Sequence, residues 1–306
     1  MQQYCPLEGF KIFNKPEWID QKVSDRLAVN YWILGESVVY ARPKGFSDLP
    51  GVKNAMALNE DVASFVSSGK NPYIQIEDYL FLKGSSSKAR KYFIEKINKD
   101  NRRKSIIFCN TTLPFNVAIK LAQKFNTTKK YVHVAKNYKD AIGHAKTLSD
   151  YVQKPVDPLI SNILENYNYN GNSLSPVEIQ SEKNWQIKTP EFSNHALVIN
   201  KNILHSTSTG FLRSNHIPLV DKMRYQCLSD LPENSSLDYI IINGGELKGT
   251  SRSARFKFMQ SLKEWHKKFP FQMYITYNAN IFTRTAFHIA GTVMPFKLRV
   301  AQNLKH

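Results

Sequence analysis

Two rhythms of hydrophobic positions alternate along this chain. Short runs rich in β-branched and aromatic residues read as strands: LAVNYWIL (27–34), ESVVYARP (36–43), YIQIEDY (73–79), KSIIFCN (104–110) and YVHVA (131–135). Segments with apolar residues three and four apart read as helices: MALNEDVASFVSS (56–68), SSKARKYFIEKINK (86–99), LPFNVAIKLAQKF (113–125) and NYKDAIGHAKTLSDYVQK (137–154). GFSDLPGV (45–52) reads as a loop. Strands alternating with helices predict an α/β domain, its helices packed on one mixed sheet of four to five strands.

The same order returns later. HALVI (195–199), NILHSTS (202–208), DYIIIN (238–243), MYITYN (273–278) and FKLRVAQ (296–302) read as strands, and PLVDKMRYQCLSD (218–230) as a helix. The match also reaches individual residues. LKGSSSKAR at 82–90 and LKGTSRSAR at 247–255 share six of nine residues at an offset of 165. Each follows a strand-type run and precedes a helical stripe, Ala89, Tyr92, Phe93 and Ile97 in one and Ala254, Phe258, Leu262 and Trp265 in the other. The pair Gly45–Phe46 meets Gly210–Phe211 at that offset, and three inserted residues later Asn110 meets Asn278. The pattern is that of an internal duplication of a whole domain.

The expected organisation is an N-terminal arm (1–26), a first domain (27–154), a linker with a short helix in PLISNILENY (155–191), and a second domain (192–306). The second domain stops near its last strand, without room for a closing helix. The 306 residues therefore read as the front of a longer protein.

The element order resembles that of the STAS domain, the fold of anti-sigma-factor antagonists and of transporter cytoplasmic tails. In that family a central strand ends in Asp, and a short loop leads to a phosphorylated Ser at a helix N-terminus. The resemblance places Asp78 at the strand end, that serine at Ser85 or Ser86, and its counterpart at Thr250 or Ser251. Here Lys83, Lys88 and Arg90 surround the serines, and the second domain has Asn243, Gly244 and Gly245 in place of the strand-end Asp. The pattern DYxxLKGxSxxARxxFI also resembles amino-terminal regions of bacterial sensor histidine kinases. These resemblances imply a sensory or scaffolding region acting by protein or small-ligand recognition. A free-standing antagonist-like regulator and an enzyme with an interdomain cleft are the alternatives.

Candidate chemistry concentrates on the repeated segment. A Gly-Ser turn entering a helix offers backbone N–H groups to an anion, and its hydroxyls can instead cap the helix. Lys83, Gly84, Ser85, Ser86 and Arg90, with Lys248, Gly249, Thr250, Ser251 and Arg255, are the candidate contacts for an anionic ligand or protein partner. The same arginines suit bracing of loop carbonyls. Asn110 and Asn278 end strands before helices, where open α/β sheets bind ligands; with the Gly-Ser turn each could line one shallow pocket per domain, and the plainer reading is two well-capped helices. No nucleotide-binding, catalytic or metal-ligating motif accompanies them, so no cofactor and no metal is expected.

Charge and cysteine content refine this picture. The net charge of +17 favours an acidic partner, but it is dispersed. Its densest run, KINKDNRRK (96–104), sits where a helix C-terminus welcomes cations. The aromatic residues fall in core stripes, so nucleic acid is not an expected partner; a homodimer stays among the arrangements allowed. Cys5, Cys109 and Cys227 are scattered, and Cys109 reads as a core thiol of a cytoplasmic protein. No run of apolar residues is long enough to span a membrane.

Overall fold

A computed structural model describes residues 2–66, 72–112, 115–116, 119, 132–148, 158–165, 167, 170–232, 235–280, 283–285, 287, 291 and 294–303. The chain divides into two compact units, residues 3–176 and 177–306, the second including residues 1 and 2.

The first unit is a mixed sheet with helices on both faces. It begins with β1 (Gln2–Tyr4) and β2 (Lys11–Phe13), a short 3-10 turn at Pro16–Trp18, and β3 (Gln21–Lys22). The long strands β4 (Leu27–Leu34) and β5 (Val38–Ser47) form an antiparallel pair closed at Gly35. Next come α1 (Leu49–Ser64), β6 (Tyr73–Asp78), β7 (Phe81–Ser85), α2 (Ser87–Lys99), β8 (Arg103–Cys109), β9 (Val132–Val134), α3 (Tyr138–Leu148) and α4 (Pro158–Glu165). The sheet order is β1-β2-β4-β5-β6-β8-β9, antiparallel up to β5 and parallel beyond it; β3 pairs with β4 and β7 with β5.

Strand alternation sorts the core. Val29, Tyr31, Ile33, Val39 and Ala41 pack with Val62 and Ala63 of α1. Their neighbours Trp32, Leu34, Val38 and Tyr40 point the other way, to Tyr138, Ala141, Ile142 and Ala145 of α3. Burying a residue of this kind contributes about 1.5–3 kcal/mol.

The second unit contains β10 (Val177–Gln180), β11 (Gln186–Lys188), β12 (Phe192–Ile199), β13 (Ile203–Leu212), α5 (Ile217–Ser229), β14 (Tyr239–Thr250), α6 (Arg252–Lys268), β15 (Met273–Tyr277) and β16 (Lys297–Ala301). Its order is β10-β12-β13-β14-β15-β16, with β11 on β12, again antiparallel up to β13 and parallel beyond. One core, including Ala196, Val198, Met223, Leu262, Trp265 and Tyr274, lies between this sheet and α5 with α6.

Three expectations need correction. Each sheet exceeds four to five strands: the path β2 to β9 and the path β10 to β16 both hold six. The extra strands are two to four residues long, too short to show alternation in sequence. Helix α1 starts at Leu49, inside the expected loop, because Asp48 accepts the Gly51 N–H at 2.9 Å and Pro50 tolerates the first turn. Finally, the LKGS and LKGT segments are not turns but extended strand, paired in parallel with β5 and β13.

The segments read as arm and linker also contain matching parts. In both units a tryptophan ahead of the long strands is fully buried and donates its indole N–H to an aspartate near the end of the first long helix: Trp18 to Asp61 Oδ2 at 3.0 Å, and Trp185 to Asp230 Oδ2 at 2.8 Å. The helices read over 113–125 and after MYITYN lie mostly outside the described residues.

Candidate functional site

The repeated segment is built the same way in both units. Phe46 pairs with Gly84 across β5 and β7, and Phe211 pairs with Gly249 across β13 and β14, each after an irregularity in register. A side chain at either glycine would press on the phenylalanine ring, with a Cβ 3.2 Å from Phe46 and 2.9 Å from Phe211. The chain then enters a helix. Ser86 Oγ accepts the Ala89 N–H at 3.2 Å, and Ser251 Oγ accepts the Ala254 N–H at 3.1 Å. Each thereby satisfies one orphan donor of its helix.

Arg90 and Arg255 fold back on the same strand. Arg90 donates to the Ser85 carbonyl and, at 3.1 Å, to Ser87 Oγ. Arg255 donates to the Thr250 carbonyl at 3.1 Å and to Thr250 Oγ1 at 3.3 Å. Lys83 and Lys248 are exposed on the strands.

Asn110 and Asn278 both adopt left-handed backbone, φ 54° in each. Asn110 Nδ2 donates to Asp78 Oδ1 at 2.7 Å and to the Asn172 carbonyl; Asn278 Nδ2 points at Asn243 Oδ1 at 3.4 Å. Asp78 accepts the N–H two residues on, from Leu80 at 3.1 Å, and Asn243 accepts that of Gly245 at 3.0 Å. Asn243 thus carries on the turn-forming work of the aspartate without its charge. Asn110 and Asn278 are not among the described residues that line the two cavities met by Ser85 and Thr250.

One cavity that meets the segment lies under the helices. In the second unit a space of about 610 Å³ opens between the sheet and helices α5 and α6. Its walls are mainly apolar, including Phe192, Val220, Phe258, Met259, Tyr274 and Phe287. Thr250 and Arg255 of the repeated segment line it, with Arg252 and the exposed Phe256. In the first unit, positions 165 residues earlier enclose only about 70 Å³, with Ser85 and Arg90 in the corresponding places.

The difference lies in the strand that crosses the cavity floor. Glu77 and Tyr79 line the small cavity, where the second unit has Ile242 and Gly244. The Tyr79 ring packs edge-on against Phe108 and Phe115, both at 5.5 Å between centroids. Burial raises the Glu77 carboxyl to about 8, while a hydrogen bond from Gln75 and the charge of Arg103 pull it down. On α5, where the first unit has Asn59, the second has Arg224, 2 % exposed. Arg224 lies over Phe258 at 4.9 Å and Trp265 at 5.6 Å, with Asp221 Oδ1 3.5 Å from Nη1. Neither Nη1 nor Nη2 has a hydrogen-bond partner, nor do Tyr274 Oη and Asn194 Oδ1 beside the same space. Sequence reading missed Arg224 because a lone arginine in an amphipathic helix looks like a solvated one. Its signal was its place on the apolar side, between Val220 and Cys227.

The described residues hold no group of three His, Cys, Asp or Glu side chains able to bind a metal. His205 is buried; burial lowers its imidazole to about 4, and Nε2 lies 2.9 Å from Tyr277 Oη. Cys5, Cys109 and Cys227 are all buried and none forms a disulfide. No helix among the described residues is long and apolar enough to cross a membrane.

No protein-family model and no curated protein matches the chain. Among solved structures it has a distant, partial match to an uncharacterized protein with a SpoIIAA-like fold from Shewanella loihica, at 13% identity and a TM-score of 0.26. The match covers 44% of this chain and 93% of the other. At that score the α/β architecture stands on the strand order and packing given above.

Proposed function

We propose that this chain is a duplicated, STAS-like recognition protein that works without catalysis, and that its second unit holds a small ligand in the cavity beneath α5 and α6. The observation that carries this reading is the contrast between about 610 Å³ in one unit and about 70 Å³ at matching positions in the other. A space of this size, apolar with a few inward polar groups, is the form that small-molecule sites take. The described residues lining it include no carboxylate, histidine or cysteine, which favours binding over acid–base or nucleophilic chemistry. In the wider reading the chain is the cytoplasmic sensory or scaffolding region of a bacterial signal-transduction protein of the sensor histidine kinase type. The exposed Lys83 and Lys248, at the same strand position in both units, suit a second contact with an acidic protein partner.

The test is dye binding. Anilinonaphthalene sulfonate should fluoresce on the wild-type protein, and Gly244→Tyr should abolish that signal without loss of folding. A Cβ at Gly244 meets nothing closer than 3.5 Å, so the backbone there accepts a side chain. Equal dye binding by both proteins defeats the cavity reading.

A further inference from the structure

We infer that the cavity of the second unit is specific for a small organic anion, an apolar body bearing one carboxylate, and that Arg224 is the residue that receives the carboxylate. This rests on the reading of the cavity as a ligand site and names its ligand class.

The argument begins with Arg224 itself. An arginine guanidinium is a planar cation with five N–H donors. Buried to 2 % exposure, Arg224 leaves Nη1 and Nη2 without hydrogen-bond partners. Asp221, 3.5 Å from Nη1, gives partial charge compensation, and that carboxylate already accepts a hydrogen bond from Ser261 Oγ. A buried cation in this state is costly unless something supplies charge and acceptors together. Water supplies acceptors but no counter-charge. A carboxylate supplies both, in the planar two-oxygen geometry that a guanidinium matches.

The rest of the wall agrees. Among the described residues, the charged ones lining the space, Arg224, Arg252 and Arg255, are all cationic. Tyr274 Oη offers a further hydrogen bond close to Arg224, and the other walls are largely aromatic and aliphatic. They suit an apolar body, not a sugar or a nucleotide. The first unit is an internal control: its small cavity is lined by a carboxylate of its own, Glu77, and position 59 is a neutral Asn. The chain thus places a fixed acid in one cavity and an unmatched cation in the other.

The experiment is displacement of bound anilinonaphthalene sulfonate from the full chain by decanoate, decanol and decylammonium, each below its micelle-forming concentration. On the wild type, decanoate should displace the dye at about tenfold lower concentration than decanol, and decylammonium should not displace it. Arg224→Met, of similar length and apolar, should lose that preference while still binding decanol. Arg224→Lys, which keeps the charge but not the planar fork, should retain part of it. Each variant is first checked for cooperative thermal unfolding. Decanol matching decanoate on the wild type, or a folded Arg224→Met that still prefers decanoate, overturns the inference while leaving the cavity as a ligand site. Failure of all three compounds to displace the dye overturns both readings. If neither variant folds, the order of the three compounds on the wild type decides.

Discussion

Tyr79 and Gly244 stand at the same step of the same strand-to-segment connection, one residue beyond Asp78 and Asn243, and they decide whether the space under the helices is filled. The aromatic ring occupies it in the first unit; in the second the glycine leaves it open. Exchanging them should exchange the property. Tyr79→Gly should destabilise the first unit by about 2–4 kcal/mol, as expected when a packed ring is deleted, and should create new dye binding. Urea unfolding and dye titration read the two effects separately.

Backbone geometry makes a sharper prediction at two other glycines. Gly45 (φ 104°) and Gly210 (φ 82°) would place a Cβ 2.3 Å from the Arg26 carbonyl oxygen and 2.2 Å from that of Glu191. Gly45→Ala and Gly210→Ala should each cost about 2 kcal/mol or more. Gly143, exposed in α3, meets nothing within 4 Å, so Gly143→Ala should stabilise by about 0.5–1 kcal/mol. Equal effects at all three positions in a denaturation series would contradict the strain argument.

The buried Glu77 predicts a pH dependence. Its carboxyl is raised from 4.5 to about 8 in the folded chain. Between these values the folded state holds a proton that the unfolded state has released, so stability falls as pH rises through this window and levels off above it. Glu77→Gln should remove the slope, leaving the variant more stable than wild type at pH 8.5 (about the upper end of that window) by on the order of a few kcal/mol. Chemical denaturation at a series of pH values measures it; a wild-type slope that the substitution leaves intact would place the responsible group elsewhere.

Helix caps supply the fourth test. Ser86→Ala and Ser251→Ala should each cost about 1 kcal/mol, and Ser251→Asp should change stability by no more than a few tenths, because Asp caps as well as Ser. Thermal unfolding resolves these differences, and a fully stable Ser251→Ala would show the cap to be dispensable.

The exposed lysines are tested by charge reversal. Lys83→Glu with Lys248→Glu should leave thermal stability within about 0.5 kcal/mol, as for other surface changes. It should also abolish salt-sensitive binding of the chain to an acidic polypeptide such as polyglutamate. Retention of that binding by the folded double variant would locate the contact on another surface.

Much of this architecture was legible because long strands and helices write their period into the sequence. LAVNYWIL and YIIIN announced strands, and the stripe from Ala254 to Trp265 announced a helix. The cap serines and the bracing role of the two arginines followed from residue type and place. The short strands β2, β3, β10 and β11 did not show, since two to four residues cannot display an alternation. The extended LKGS and LKGT segments were hidden by their own composition: Gly and Ser signal a turn unless a facing Phe46 or Phe211 requires the glycine. The cavity was least legible of all. It comes from what is missing at Gly244 and from a charge, Arg224, whose burial depends on three elements meeting.

The tryptophan that opens each unit has a consequence for the order in which the chain can be completed. During synthesis from the N-terminus, Trp18 waits 43 residues for Asp61, and Trp185 waits 45 for Asp230. Neither indole finds its acceptor, nor its full covering of apolar neighbours, until the first long helix has emerged from the ribosome. Until then each nascent unit exposes a large aromatic surface, the kind on which chaperones act and aggregation begins. Each of these tryptophans is thus covered only by residues made after it, so a ribosome pause placed before Asp61 or Asp230 would prolong the interval in which it is exposed.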